Sequence, residues 1–125
     1  MSKRAAIYGR VSTGEQSVNN QLFELRHYVG ERGWQLSEYV DEGVSGAKER
    51  RPELDRLIAA ARRRQVDVVI VWSLDRLGRN VKHLVSLLDD FQALGIAFIS
   101  IKEGLDWTTP SGRLQAQMLS MIAEV

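Results

Sequence analysis

Apolar residues fall in two kinds of pattern along this chain. Residues 5–11, 66–72 and 96–101 are short, continuous apolar runs rich in Val and Ile, bounded by polar or Gly-containing turns. Continuous runs of this length suit parallel strands covered on both faces. Residues 35–41, with Leu36, Tyr39 and Val40, make a weaker fourth candidate.

Helical spacing fills the intervals. Val18, Leu22, Leu25 and Val29 form one stripe, ended by Gly33. Leu54, Leu57, Ile58 and Ala61 form a second, begun by Pro52 and closed by Arg62-Arg63-Arg64 at the negative end of the helix dipole. Val81, Leu84, Val85, Leu88 and Phe91 form a third, stopped by Gly95. Strands alternating with helices require crossovers of one hand. The fold class predicted is α/β: a central, mostly parallel sheet of about four to five strands flanked by helices.

The last segment has a different character. Thr109-Pro110 reads as an N-cap followed by proline in the first turn. Leu114, Met118, Met121, Ile122 and Val125 then make one stripe, widened by Ala116, Leu119 and Ala123. The expectation is a C-terminal interface helix, truncated at Val125, that packs on a partner as well as on its own sheet. An ordinary core helix is the alternative.

Composition narrows the class. A chain of 125 residues, 44% hydrophobic and 26% charged, fits one ordinary globular domain. It contains no cysteine, so disulfides and thiolate metal sites are excluded and a reducing cytoplasm is the expected location. The apolar stretch after Met1-Ser2-Lys3-Arg4 is too short for a signal peptide, and no run approaches a membrane span. Net charge is +1, a weak footprint for a free-standing nucleic-acid binder. Any grip on nucleic acid is expected to come largely from another part of a longer protein.

Candidate chemistry gathers at the carboxyl ends of the strands, where open α/β sheets bind ligands. Arg10-Val11-Ser12-Thr13-Gly14 follows the first strand, Asp41-Glu42-Gly43-Val44-Ser45-Gly46 the second, and Ser73-Leu74-Asp75-Arg76-Leu77-Gly78-Arg79 the third. Ser12 or Thr13 could simply cap a helix. Arg10, however, would share a strand face with Ser12, and one helical turn would align Arg76 with Arg79. Arg10, Arg51, Arg76 and Arg79 outnumber what Asp75 can neutralise, and guanidinium forks match phosphate oxygens. A hydroxyl among arginines suits attack on a phosphodiester.

Other chemistries fit less well. Gly9 to Gly14 lacks the Lys-Ser or Lys-Thr of a phosphate loop, and no G-x-G-x-x-G is present. His27 and His83 fall in helical patterns away from the rim, and the rim acids Asp41, Glu42 and Asp75 are too scattered to predict a two-metal site. No metal or other cofactor is expected. Residues 43–46 read as a mobile loop. A hydrolase using the same rim, or a response-regulator-like or nucleotide-binding α/β module without catalysis, remain the rivals.

Tyr8-Gly9-Arg10-Val11-Ser12-Thr13, Asp41-Glu42-Gly43-Val44-Ser45-Gly46 and Leu74-Asp75-Arg76-Leu77-Gly78-Arg79 resemble the three signature segments of the serine recombinases, the resolvase/invertase superfamily. Thr109-Pro110-Ser111-Gly112 before the Met-rich helix is similar to the start of their long dimerisation helix. The resemblance implies a site-specific DNA recombinase in which Ser12 becomes joined to a DNA 5′-phosphate, without metal or ATP. It implies that Arg10, Arg76, Arg79 and Arg51 hold the scissile phosphate, that Asp75 orients them, and that Tyr8, Gln21 and Ser45 shape or support the DNA pocket. It also implies a catalytic core over residues 1–108, a dimerisation helix starting at 109–125, and a DNA-binding region absent from this chain. The partners implied are the crossover-site DNA and a homodimer that pairs into a tetramer.

Overall fold

The computed structural model describes residues 3–11, 17–42, 51–74, 77 and 81–108. Their elements run β1 (Arg4–Val11), α1 (Ser17–Glu31), β2 (Gln35–Glu42), α2 (Pro52–Arg62), β3 (Val68–Val71), α3 (Val81–Ala93), β4 (Ala97–Ser100) and β5 (Leu105–Asp106). They form one five-stranded sheet in the order β2-β1-β3-β4-β5. The first four strands are parallel and β5 is antiparallel to β4.

That order dictates which helix covers which face. The step from β1 to β2 runs one way across the sheet, whereas β2 to β3 and β3 to β4 run the other. Right-handed crossovers then put α1 on one face and α2 with α3 on the opposite one. The packing agrees. Leu22, Leu25 and Val29 of α1 cluster with Ala5, Ile7, Val68, Ile70 and Ile99. Leu54, Leu57 and Ala61 of α2, with Leu87, Leu88 and Phe91 of α3, cluster with Ala6, Tyr8, Val69, Val71 and Phe98. Strand residues therefore alternate between two cores, as a doubly covered sheet requires.

The strands are shorter than the apolar runs that announce them. The run at 66–72 contributes Val68–Val71, and the run at 96–101 contributes Ala97–Ser100. Val66 and Ile96 are buried in the core beneath α2 and α3 without belonging to a strand. Asp67 interrupts the first run because its carboxylate serves Arg4: the Arg4 N–H donates to Oδ2 at 2.8 Å, Nε to Oδ2 at 3.2 Å and Nη2 to Oδ1 at 3.2 Å. This pair holds the guanidinium above and the Asp67 carboxyl below their ordinary ranges.

Among the described residues, the three helices end in the same two-bond turn, with a left-handed residue just past the helix end. After α1, Gly33 has φ +67°, with Gly33 N–H to Gly30 O at 3.1 Å and Trp34 N–H to Val29 O at 3.3 Å. After α3, Gly95 has φ +73°, with bonds of 3.0 Å to Gln92 O and, from Ile96, 2.8 Å to Phe91 O. After α2 the same position is Arg64, at φ 59°, with Arg64 N–H to Ala61 O at 3.0 Å and Gln65 N–H to Ala60 O at 2.9 Å. A β-carbon there carries a steric cost that glycine avoids. Arg4 Nη2 donates to the Arg64 carbonyl at 2.7 Å and stitches this turn to β1.

β5 lies beyond what periodicity foretold in position, being two residues long. Its anchor is aromatic. Trp107 N–H donates to Phe98 O at 2.8 Å, and the Trp107 ring meets Phe98 edge-on at 5.4 Å between centroids. Among the described residues no helix is long and apolar enough to cross a membrane. The expected interface helix over 109–125 lies outside the described residues.

Candidate active site

β1 and β3 are neighbours, yet their following crossovers leave in opposite directions. The carboxyl ends of such a pair bound the crevice where open α/β sheets take ligands. The segment containing Ser12 follows β1, and the segment containing Asp75, Arg76 and Arg79 follows β3. Ser12, Asp75, Arg76, Arg79 and Ser45 themselves lie outside the described residues. The strand ends that deliver them are described, and the pairing Tyr8↔Val71 sets those ends side by side.

Tyr8 and Arg10 are two apart on β1 and so share the face covered by α2 and α3. Arg10 is half-buried and stands in register with Asp41 of β2. Gly9 between them faces α1, where an added Cβ would come within 3.0 Å of Leu22 Cδ2. Glycine thus lets α1 press against β1 just before the chain leaves for Ser12.

Asp41 is the hub. It is 6% exposed and accepts three donors. The Tyr8 phenol donates to Oδ2 at 2.7 Å, the Glu53 N–H to Oδ1 at 2.9 Å and the Leu54 N–H to Oδ2 at 3.2 Å. Glu53 and Leu54 open α2, so a carboxylate from β2 takes orphan amides that a local cap would ordinarily satisfy. It also suits the positive end of the helix dipole. Arg51, which precedes Pro52, contributes no side-chain cap of its own.

The Arg51 side chain goes elsewhere. Although 4% exposed, it reaches the turn after β3, where Nη1 donates to Leu77 O at 2.7 Å. Leu77 is fully buried, so this bond fixes one point of that turn against the core. A buried guanidinium is tolerated because it is hydrogen-bonded.

The electrostatics centre on Tyr8. Burial pushes its phenol well above the ordinary tyrosine range, and the hydrogen bond to Asp41 and the charge of Asp41 push it further. Arg51 and Arg10 pull it the other way. The phenol is therefore a fixed, neutral donor that seals one lone pair of Asp41 while two cationic side chains lie within electrostatic reach.

Of the sequence-predicted residues, Tyr8, Arg10 and Arg51 come together with Asp41 at this rim. Gln21 lies on α1, half-buried, across the sheet from that cluster. His27 stands on the surface beside Glu31, with Nε2–Oε1 at 3.0 Å, and His83 is half-buried on α3. Among the described residues no group of three or more His, Asp or Glu could hold a metal. Sequence reasoning noted Asp41 as a rim acid but missed its three-donor role. Two of its donors, the Glu53 and Leu54 amides, sit twelve and thirteen positions downstream, far outside any local capping signature.

Comparison with known proteins agrees with this arrangement. The family described as Resolvase, N terminal domain, matches residues 5–125. Transposon Tn917 resolvase of Enterococcus faecalis is 36% identical over 118 residues, covering 94% of this chain and 60% of that protein. The DNA-invertase of Escherichia phage P1 is 36% identical over 118 residues, covering 94% and 59%. The chain thus spans about three fifths of the length of these curated relatives. The N-terminal catalytic domain of TP901-1 integrase superposes with a TM-score of 0.85 at 42% identity, covering 98% of this chain and 95% of that one. A resolvase family site-specific recombinase from Streptococcus pneumoniae gives 0.82 at 27% identity, covering 98% and 87%. With sequence, fold and strand-end geometry in agreement, the chain belongs to the resolvase/invertase superfamily of serine recombinases, as the family's N-terminal domain.

Proposed function

We propose that this chain is the catalytic domain of a site-specific DNA recombinase that cleaves and rejoins DNA through a covalent phosphoserine. The observation that carries the reading is the switch point between β1 and β3, from whose strand ends the Ser12 and Arg76 segments leave. Relatives named resolvase, DNA-invertase and serine recombinase support it.

In this reading the Ser12 oxygen attacks the scissile phosphorus and gives up its proton. The bond from phosphorus to the deoxyribose 3′ oxygen breaks, leaving a 3′-hydroxyl and a 5′-phosphate esterified to Ser12. Attack by a 3′-hydroxyl on that ester reverses the step and frees the serine, so the number of phosphodiesters is conserved. Arg10, Arg76 and Arg79 hold the phosphate oxygens and offset the charge that builds on them. Positioning and charge stabilisation supply most of the catalysis in phosphoryl transfer. Arg51 supports the site from the buried side through Leu77, Asp75 orients the arginines, and Gln21 and Ser45 border the DNA pocket. Two copies pair through the helix beginning near 109 and assemble further on crossover-site DNA, which the near-neutral charge of this domain leaves largely to other parts of the protein to grip.

The test uses the full-length protein and a duplex carrying its crossover site. Denaturing gels should reveal protein joined to DNA 5′ ends. Ser12→Ala should abolish that adduct while folding and DNA binding persist, and an adduct that survives the substitution defeats the assignment. The nucleotide-binding alternative predicts instead a rise in melting temperature with free nucleotide, and the comparisons do not favour it.

A further inference from the structure

The chain enters the turn after β3 at Leu74 and regains the core at Leu77, whose N–H donates to Leu74 O at 3.1 Å. Asp75 and Arg76 are the two residues between. Charged side chains from elsewhere in the chain hold both flanks of this pair. Arg51 takes the Leu77 carbonyl, as described above. On the other flank the acceptor is Glu103, in the turn between β4 and β5. Its carboxylate accepts the Leu74 N–H, at 3.2 Å to Oε1 and 3.4 Å to Oε2. Oε1 also accepts the hydroxyl of Ser100, the fully buried last residue of β4.

The turn that carries Glu103 is itself laid against the exit of β3. Ile101 N–H donates to Val71 O at 3.1 Å, and Lys102 N–H donates to Trp72 O at 2.8 Å. Gly104, at φ +69°, closes the turn with a 3.1 Å bond to Ile101 O. Backbone bonds thus register β4 and its turn with β3 as far as Trp72. The Glu103 carboxylate carries that registration two residues further, to Leu74, the last described residue before Asp75.

We propose that Glu103 is a positioning residue of the recombinase site, setting the segment that presents Asp75 and Arg76 by holding the Leu74 amide, opposite Arg51 at Leu77. The inference rests on the reading of Arg76 as a phosphate-binding side chain. A carboxylate has no donor of its own, so it binds these two N–H and O–H groups without competing orientations. An anionic acceptor also makes a shorter, stronger bond to a backbone amide than a neutral one. Where catalysis depends on placement, a displacement of about 1 Å at a supporting residue costs on the order of 100-fold in rate.

The experiment compares Glu103→Ala and Glu103→Gln in the full-length protein on crossover-site DNA. Glu103→Ala strips the buried Ser100 hydroxyl of its acceptor, so a modest drop in melting temperature is expected there and not in Glu103→Gln, while neither variant should shift the DNA dissociation constant appreciably. Glu103→Ala should slow single-turnover cleavage by roughly 10- to 100-fold. Glu103→Gln keeps a carbonyl oxygen for Leu74 and Ser100 and should recover most of that rate. In the protein without DNA, amide exchange at Leu74 should speed up in the alanine variant and return toward wild type in the glutamine variant. Unchanged cleavage in Glu103→Ala overturns the proposal, as does a glutamine variant as slow as the alanine one. Faster exchange at Leu74 with unaltered cleavage means that Glu103 holds the loop without serving the reaction, and the recombinase reading stands. An adduct independent of Ser12 would instead sink that reading, and the exchange data would still report whether Glu103 holds Leu74.

Discussion

The Tyr8 phenol and the Asp41 carboxylate, joined at 2.7 Å, link two adjacent strands to the start of the helix that follows the second. One carboxylate therefore ties β1, whose next residues lead to Ser12, to the N-terminus of α2, beside which Arg51 is held. The phenol is buried, so its protonation state is part of the fold.

Tyr8→Phe removes the phenol donor and leaves Asp41 with its two amide donors. Loss of a hydrogen bond to a charged acceptor should cost about 1.5–3 kcal/mol at neutral pH, measured by urea unfolding. The pH dependence follows from the raised phenol. The unfolded chain ionises its tyrosine near pH 10, whereas folded Tyr8 does so only at higher pH. The contribution is thus fully present below about pH 10 and fades as pH rises beyond it. Unfolding free energy should fall more steeply between about pH 10 and 12 in wild type than in Tyr8→Phe. Parallel curves would show that Tyr8 titrates normally.

Arg10 and Arg51 should separate when each is replaced by alanine. Arg51 is buried on Leu77, so its loss strips a buried carbonyl of its donor and leaves a cavity, at a cost of about 2–4 kcal/mol. Arg10 is half-buried at the strand end, and its loss should cost less than about 1 kcal/mol. Both should lose DNA cleavage, but Arg51→Ala through the fold as well as the site. Chemical denaturation alongside single-turnover cleavage distinguishes them. Equal destabilisation would assign Arg10 a structural role too.

Arg64→Gly should stabilise the domain. The other two described helices end on glycine in the same turn, and Arg64 alone of these three ends carries a side chain at positive φ. Relief of that strain should contribute roughly 0.5–1 kcal/mol, less whatever the 3.4 Å bond from Arg64 Nη1 to Leu94 O supplies. Arg4 still has the carbonyl of residue 64 to bind. A higher thermal midpoint checks this, and a lower one would mean that the side-chain bond outweighs the strain.

The sequence made the sheet legible because parallel strands buried on both faces must be apolar throughout, as Val68–Val71 is. Gly33 and Gly95 marked two helix ends through their conformational freedom. Arg64 hid the third, since three consecutive arginines read as a favourable charge at a helix terminus and say nothing of φ. β5 was not located, because two residues give no periodicity and its burial depends on Trp107 meeting Phe98. Motif order pointed to the rim. It could not reveal that Asp41 caps α2 or that Arg51 turns to Leu77, since both depend on side chains crossing between elements distant in sequence. In sequence Arg51 is a guanidinium near a turn, a pattern that a phosphate ligand and a buried structural arginine share.

The interleaved strand order also governs when the domain could become reactive during synthesis. Ser12 leaves the ribosome early, but β3, whose exit leads to the arginine-bearing turn, pairs with β1 only after α1, β2 and α2 have emerged. Until that long-range pairing closes, the alcohol has no cationic counterpart from the third strand. On the role proposed for Ser12, a half-made polypeptide carries its nucleophile without the Arg76 and Arg79 segment.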